Sequence, residues 1–204
     1  GAQPTVTTLT QGSSAQLTFS GSMPTITTLT ATASSNTVSY TSTAGAQTTI
    51  GTTYVNLTID KSGQTATLGA DTTVSSAFTI TAGTLSASTY TITLSGTGTI
   101  FSNSGTYTAG TSTISITNTS STSKTFAGGG GTYNHLTITG VGTGAVIFTG
   151  ANTFNNFTIN NPKTVTFPAS TTTTISGTFS CTGTSGNIIT INSSSGGTAA
   201  TLSK

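Results

Sequence analysis

Catalysis, metal binding and redox chemistry draw on few side-chain types, and this 204-residue sequence holds few of them. Its carboxylate side chains are Asp60 and Asp71, its imidazole His135, its thiol Cys181, and its cations Lys61, Lys124, Lys163 and Lys204. Glu, Arg and Trp do not occur. Glycoside hydrolysis needs two carboxyl groups held at a set separation. Asp60 and Asp71 lie half a repeat apart (see below), which tends to place them on different faces. His135 has many Ser and Thr residues to act on, but no Glu and no nearby Asp to orient it, so it reads as a surface side chain. Zinc or iron requires several His or Cys ligands and calcium loops are rich in Asp, so neither metal and no cofactor is expected. A single cysteine excludes an internal disulfide, and Cys181 reads as a small buried hydrophobe. An isopeptide cross-link would need an acidic neighbour for its lysine, and Asp60 beside Lys61 is a weak candidate. No enzyme is expected.

The elements that would position these groups are announced by composition. Thr fills 57 positions and Ser 29, about two fifths of the chain. The charge of +2 and pI near 8.9 come from scattered lysines, whereas nucleic-acid binding needs clustered cations, so no nucleic-acid partner is expected. Disorder pairs weak hydrophobicity with high net charge, and only the first holds here. A mucin-like stalk would carry abundant Pro, and this chain has four. Thr is β-branched and suits a half-buried pleated surface, which makes the chain all-β. The longest apolar run, Ala145-Val-Ile-Phe148, is far too short for a membrane-spanning helix.

Repeats refine this reading. Pro4-Thr-Val-Thr-Thr-Leu-Thr10 returns 20 residues later as Pro24-Thr-Ile-Thr-Thr-Leu-Thr30. Tyr54-Val-Asn-Leu-Thr-Ile59 matches Tyr133-Asn-His-Leu-Thr-Ile138 and Phe154-Asn-Asn-Phe-Thr-Ile159, with looser copies at Phe78-Thr-Ile80, Ile92-Thr-Leu94, Ile114-Ser-Ile116 and Phe179-Ser-Cys181. Successive phrases are 21 or 22 residues apart, except for a step of 14 from Phe78 to Ile92. A drifting period of 20–22 implies a right-handed parallel β-helix, a single repetitive domain over residues 1–204. Nine or so coils at roughly 4.8 Å would give a rod about 45 Å long. The runner-up is a β-sandwich.

Period-two alternation then assigns faces. Leu57, Phe78, Leu136, Phe157 and Phe179 form one internal file, Ile59, Ile80, Ile138 and Ile159 its neighbour, and Thr58, Thr79, Ser115, Thr137, Thr158 and Ser180 an outward ladder. Gly128 to Gly131 and Gly196-Gly197 suit corners, and Pro162 and Pro168 bracket a short strand, Thr164-Val-Thr-Phe167, limiting it to an edge or marking corners.

From about residue 36 onward, and most closely from Asn152 to Lys204, these phrases resemble the Thr-rich repeats of bacterial surface adhesins and environmental phage structural proteins. The resemblance implies an extracellular, cell-surface or virion-surface role as a segment of a fibre, filament or adhesin stalk. Neither end carries a charged cap: Pro4 opens straight into repeat, and Leu202-Ser-Lys204 stops in mid-strand. Self-association or neighbouring subunits at the terminal coils are therefore expected. The alternative is an ice- or polysaccharide-binding solenoid. Pairs such as Thr79/Thr81, Thr91/Thr93 and Thr137/Thr139 resemble ice-binding ladders, although Asn56, Asp60, Asn156 and Asn160 interrupt them. Glycans are a further possible partner, but four Asn-x-Ser/Thr sequons (Asn56, Asn118, Asn156, Asn192) are no more than chance supplies.

Overall fold

Strands of β-branched and aromatic residues, cut by Gly, Ser and Asn, leave few ways to satisfy backbone groups other than pairing coil on coil. The computed structural model describes residues 4–160 and 163–204, and no helix occurs among them. The named strands pair in parallel and stack as a β-solenoid of about eight turns.

Two long sheets run the length of the stack. The first contains Gln16–Phe19, Thr37–Tyr40, Asn56–Leu68, Phe78–Ser86, Gly98–Asn103, Lys124–Ala127, Val146–Thr149, Lys163–Phe167 and Ile189–Ser193, in that order. The second runs from Thr53–Tyr54 through Thr72–Val74, Thr91–Leu94, Thr113–Ile116, Thr132–Ile138, Thr153–Ile159 and Thr172–Ile175 to Thr201–Ser203. Below it, the 20-residue repeat pairs with its own copy: Val6 lies on Ile26 and Leu9 on Leu29, and a bridge from Ala31 to Tyr54 links this small sheet to the second. Lys163–Phe167 is paired on both sides, so Pro168 marks a corner and not an edge; Pro162 lies outside the described residues.

The alternation puts apolar side chains inward, as expected, but in two sets of files instead of one. Leu57 and Phe78 belong to the first sheet, where they continue through Phe101, Phe126 and Phe148. Leu136, Phe157 and Phe179 belong to the second, below them Ile114 and Ile92. Ile59 and Ile80 likewise lie in the first sheet and Ile138 and Ile159 in the second. The anomalous 14-residue step is the crossing from one sheet to the other, since Ile92 stacks on Thr72 and Phe78 is followed by Phe101. A solenoid turns all its sheets' apolar faces to one core, so period two cannot tell them apart. All of these residues are buried except Phe179, which is half-exposed and packs its ring 5.8 Å from that of Phe157. In the first sheet, rings stack as Phe101–Phe126 at 4.6 Å and Phe148–Phe167 at 5.2 Å. Each fully buried ring or Leu contributes about 1.5–3 kcal/mol.

The cross-section changes along the stack. In the earlier coils a third run of strand follows the first: Gln47–Thr49, the second half of Asn56–Leu68, the second half of Phe78–Ser86, and Thr106–Thr108. It bends off at Gly63 (φ 71°) and Gly83 (φ 76°), and it buries Ala66, Leu85 and Tyr107. After Tyr107 the run ends. Residues 128–131 join the first sheet directly to a longer second-sheet strand, Thr132–Ile138, and Tyr133 packs 4.9 Å from Tyr107. Glycine is required at this switch. A Cβ on Gly129 (φ 63°) would lie 2.0 Å from the Asn103 carbonyl oxygen. The Tyr133 hydroxyl donates to Gly128 O (2.7 Å) and accepts from Asn103 Nδ2 (3.1 Å).

Candidate functional site

The hydroxyl ladder is also two ladders. Thr58 and Thr79 lie on the outer face of the first sheet between Ser39 and Ser102, and the column then passes to Ala127. Ser115, Thr137, Thr158 and Ser180 lie on the second sheet and extend back through Thr93 and Thr73 to Thr53, making seven hydroxyls in register. Beside them runs Thr91, Thr113, His135 and Asn156. His135 Nε2 is 3.2 Å from the Thr137 hydroxyl, a surface placement as expected.

The Asn residues that interrupt the ladder hold the coils in register. Asn56 Nδ2 donates to Asn36 O (2.8 Å) in the coil below, and its Oδ1 accepts from Ala77 N (3.3 Å) above. Asp71 Oδ1 accepts from Thr91 N (2.8 Å), and Asn156 Oδ1 from Thr178 N (2.9 Å). Asn118 Nδ2 donates to Ser95 O (2.6 Å). Asp60 lies on Asn56–Leu68 in the first sheet, and Asp71 immediately before Thr72–Val74 in the second. Of the four sequons, Asn192 is exposed on Ile189–Ser193.

Cys181 is exposed, not buried. It ends the file of Ile138 and Ile159, but residues 182–188 leave the stack and Thr201–Ser203 pairs with Thr172–Ile175 instead, so no strand among the described residues covers it.

Three lysines are buried, which composition alone does not suggest. Lys61 Nζ donates to Gly45 O (2.6 Å) and Gln47 Oε1 (3.0 Å), Lys124 Nζ to Ser120 O (2.6 Å), and Lys163 Nζ to Gly142 O (3.3 Å) and Gly144 O (3.2 Å). Burial holds all three ammonium groups below the usual lysine pKa, and for Lys163 the charge of Lys124 adds to it. The signal was in the phase: Leu57, Ile59 and Lys61 alternate together, as do Lys124 with Phe126 and Lys163 with Val165. Loops 117–123 and 139–145 carry the carbonyls that receive Lys124 and Lys163, and loop 182–188 follows two coils later. There Gly142, Thr143, Lys163, Thr164, Ile188 and Thr190 line an open cleft of about 250 Å³, with Val141 and Ile188 exposed nearby.

Among the described residues no group of His, Cys, Asp or Glu could hold a metal ion, and no helix is long and apolar enough to cross a membrane. The fold places the chain among parallel β-solenoids. No protein-family model, curated protein or solved structure matches it.

Proposed function

We propose that this solenoid is a non-catalytic structural segment of an extracellular, cell-surface or virion-surface fibre, filament or stalk. The observation that carries this reading is the unbroken parallel ladder over one core cluster from Phe19 to Ile175. Its sides are hydroxyl and amide, offering little apolar surface for lateral association. Thr5–Thr10 and Ile189–Ser193 each present a strand edge at opposite ends of the described stack, and such edges call for more chain, a capping partner or a neighbouring subunit. Negative-stain microscopy of native material, with contacts mapped by cross-linking, tests this. Coil-on-coil stacking in a fibre supports it. Contacts confined to the side faces, with both terminal coils free in solvent, overturn it.

A second reading rests on the seven-hydroxyl column from Thr53 to Ser180, flanked by Thr91 and Thr113, which suits ordered water or a polysaccharide. His135 and Asn156 break the flanking column, which weighs against it. Thermal hysteresis in ice, abolished by Thr93→Tyr and Thr137→Tyr, would favour this reading over the first.

A further inference from the structure

The corner where Lys124 and Lys163 meet carries more positive charge than its surroundings answer. Lys163 Nζ lies 3.2 Å from Gly144 O, and a Cβ on Gly144 would sit 2.8 Å from Lys124 Nζ, so both ammonium groups crowd one residue. Both side chains are buried. The chain's two side-chain carboxylates belong to Asp60 and Asp71, in coils well below, and neither reaches this corner. Among the described residues Lys124 Nζ spends one of its three N–H donors and Lys163 Nζ two. Carbonyl oxygens solvate an ammonium but carry no net charge, so two buried cations side by side remain uncompensated. A further donor waits there: the Ser120 hydroxyl is buried without a hydrogen bond among the described residues, on the residue whose carbonyl receives Lys124. A cleft lined by Lys163, Thr143 and Thr164 opens to solvent on the Lys163 side of the corner.

We propose that this corner binds a compact inorganic anion of about the size of chloride, held by the Lys124 and Lys163 ammonium groups and the Ser120 hydroxyl. The anion completes the polar network that the carbonyls begin, and it ties loops 117–123 and 139–145 to the strands above them.

Melting of the full chain in chloride and in gluconate at one ionic strength tests the proposal. Chloride should raise the midpoint saturably, by about 2–4 °C. The rise should vanish in Lys124→Met and Lys163→Met and persist in Lys61→Met, whose lysine is equally buried but lies in another corner. A bromide soak should give an anomalous peak between the two Nζ atoms. Equal midpoints in the two salts, the same chloride effect in every variant, or bromide found elsewhere on the surface as an adventitious ion only would each overturn the site. If the methionine variants do not fold, Ser120→Ala keeps both cations and should raise the half-saturating chloride concentration several-fold. An unchanged half-saturation counts against the anion.

Discussion

The earlier coils and the later coils solve the same problem with different cross-sections. Up to Thr106–Thr108 a coil uses three runs of strand and fills its centre with Ala66, Leu85 and four buried Tyr and Phe rings drawn from Tyr40, Tyr54, Phe78 and Phe101. Beyond residues 128–131 it uses two, and its centre is Phe126, Phe148, Phe154, Phe157 and Phe167. The repeat length scarcely records this, because residues released from the third run reappear in corner loops such as 139–145. A coil's period therefore fixes how far the chain travels, not the shape it encloses.

Alkali should separate the two halves most strongly. The buried tyrosines, Tyr40, Tyr54, Tyr107 and Tyr133, all lie in the earlier coils or at the switch, and burial raises each hydroxyl's pKa, Tyr107 to about 12. Such groups contribute stability below their unfolded value near 10, lost as pH rises through the folded value; for Tyr107 alone that is roughly 2–3 kcal/mol. The lysines act oppositely. Their lowered values penalise the fold at neutral pH and release it as pH climbs toward the unfolded lysine value. Stability should thus hold or rise slightly toward pH 10 and collapse between about 10 and 12. β circular dichroism should fall in step with tyrosinate absorbance, leaving a residual signal from the Phe-filled coils; a single complete loss would show that the halves unfold as one.

Next in size is the aromatic column. Phe126→Ala should cost about 3–5 kcal/mol in urea unfolding, since its ring touches Phe101, Tyr133, Phe148 and Phe154 across the switch. Leu17→Ala, in a half-exposed early coil, should cost about 1 kcal/mol. Comparable losses would mean that the core is no tighter at the switch than at the start.

The switch itself is probed by two glycines. Gly129→Ala must accept both a positive φ and the Asn103 carbonyl, and should cost roughly 3 kcal/mol or more. Gly98→Ala shares the positive φ (69°) but meets no atom within 4 Å, and should cost about 1–2 kcal/mol. Equal melting shifts would remove the close approach from the explanation. Smallest of all, Thr158→Ala on the outer column should cost under about 1 kcal/mol, whereas its neighbour Phe157→Ala costs as much as Phe126→Ala.

Much of this was legible before any coordinates. The self-matching Pro4 and Pro24 phrases state their own register, and the alternation in Leu136-Thr-Ile138 follows the burial of its two apolar residues. The sheet to which a phrase belongs was not legible. Tyr54 to Ile59 rounds a corner from the second sheet to the first, while its near-twin Tyr133 to Ile138 stays within one strand of the second. The two read alike because both bury their first, fourth and sixth positions. Cys181 failed for a different reason: its exposure depends on where the following chain goes, and that lies 20 residues further on.

The coil-to-coil bonds of Asn56, Asp71 and Asn156 make each turn a module with matching upper and lower faces. Loss of residues 78–100, one whole turn, would bring Leu57 beneath Phe101 with hydroxyls still aligned outside. Gene-level duplication or deletion of such a module would lengthen or shorten the rod in steps of about 4.8 Å without a new fold having to be found. A chain of this kind can serve as a molecular ruler, its reach set by the number of turns its gene encodes.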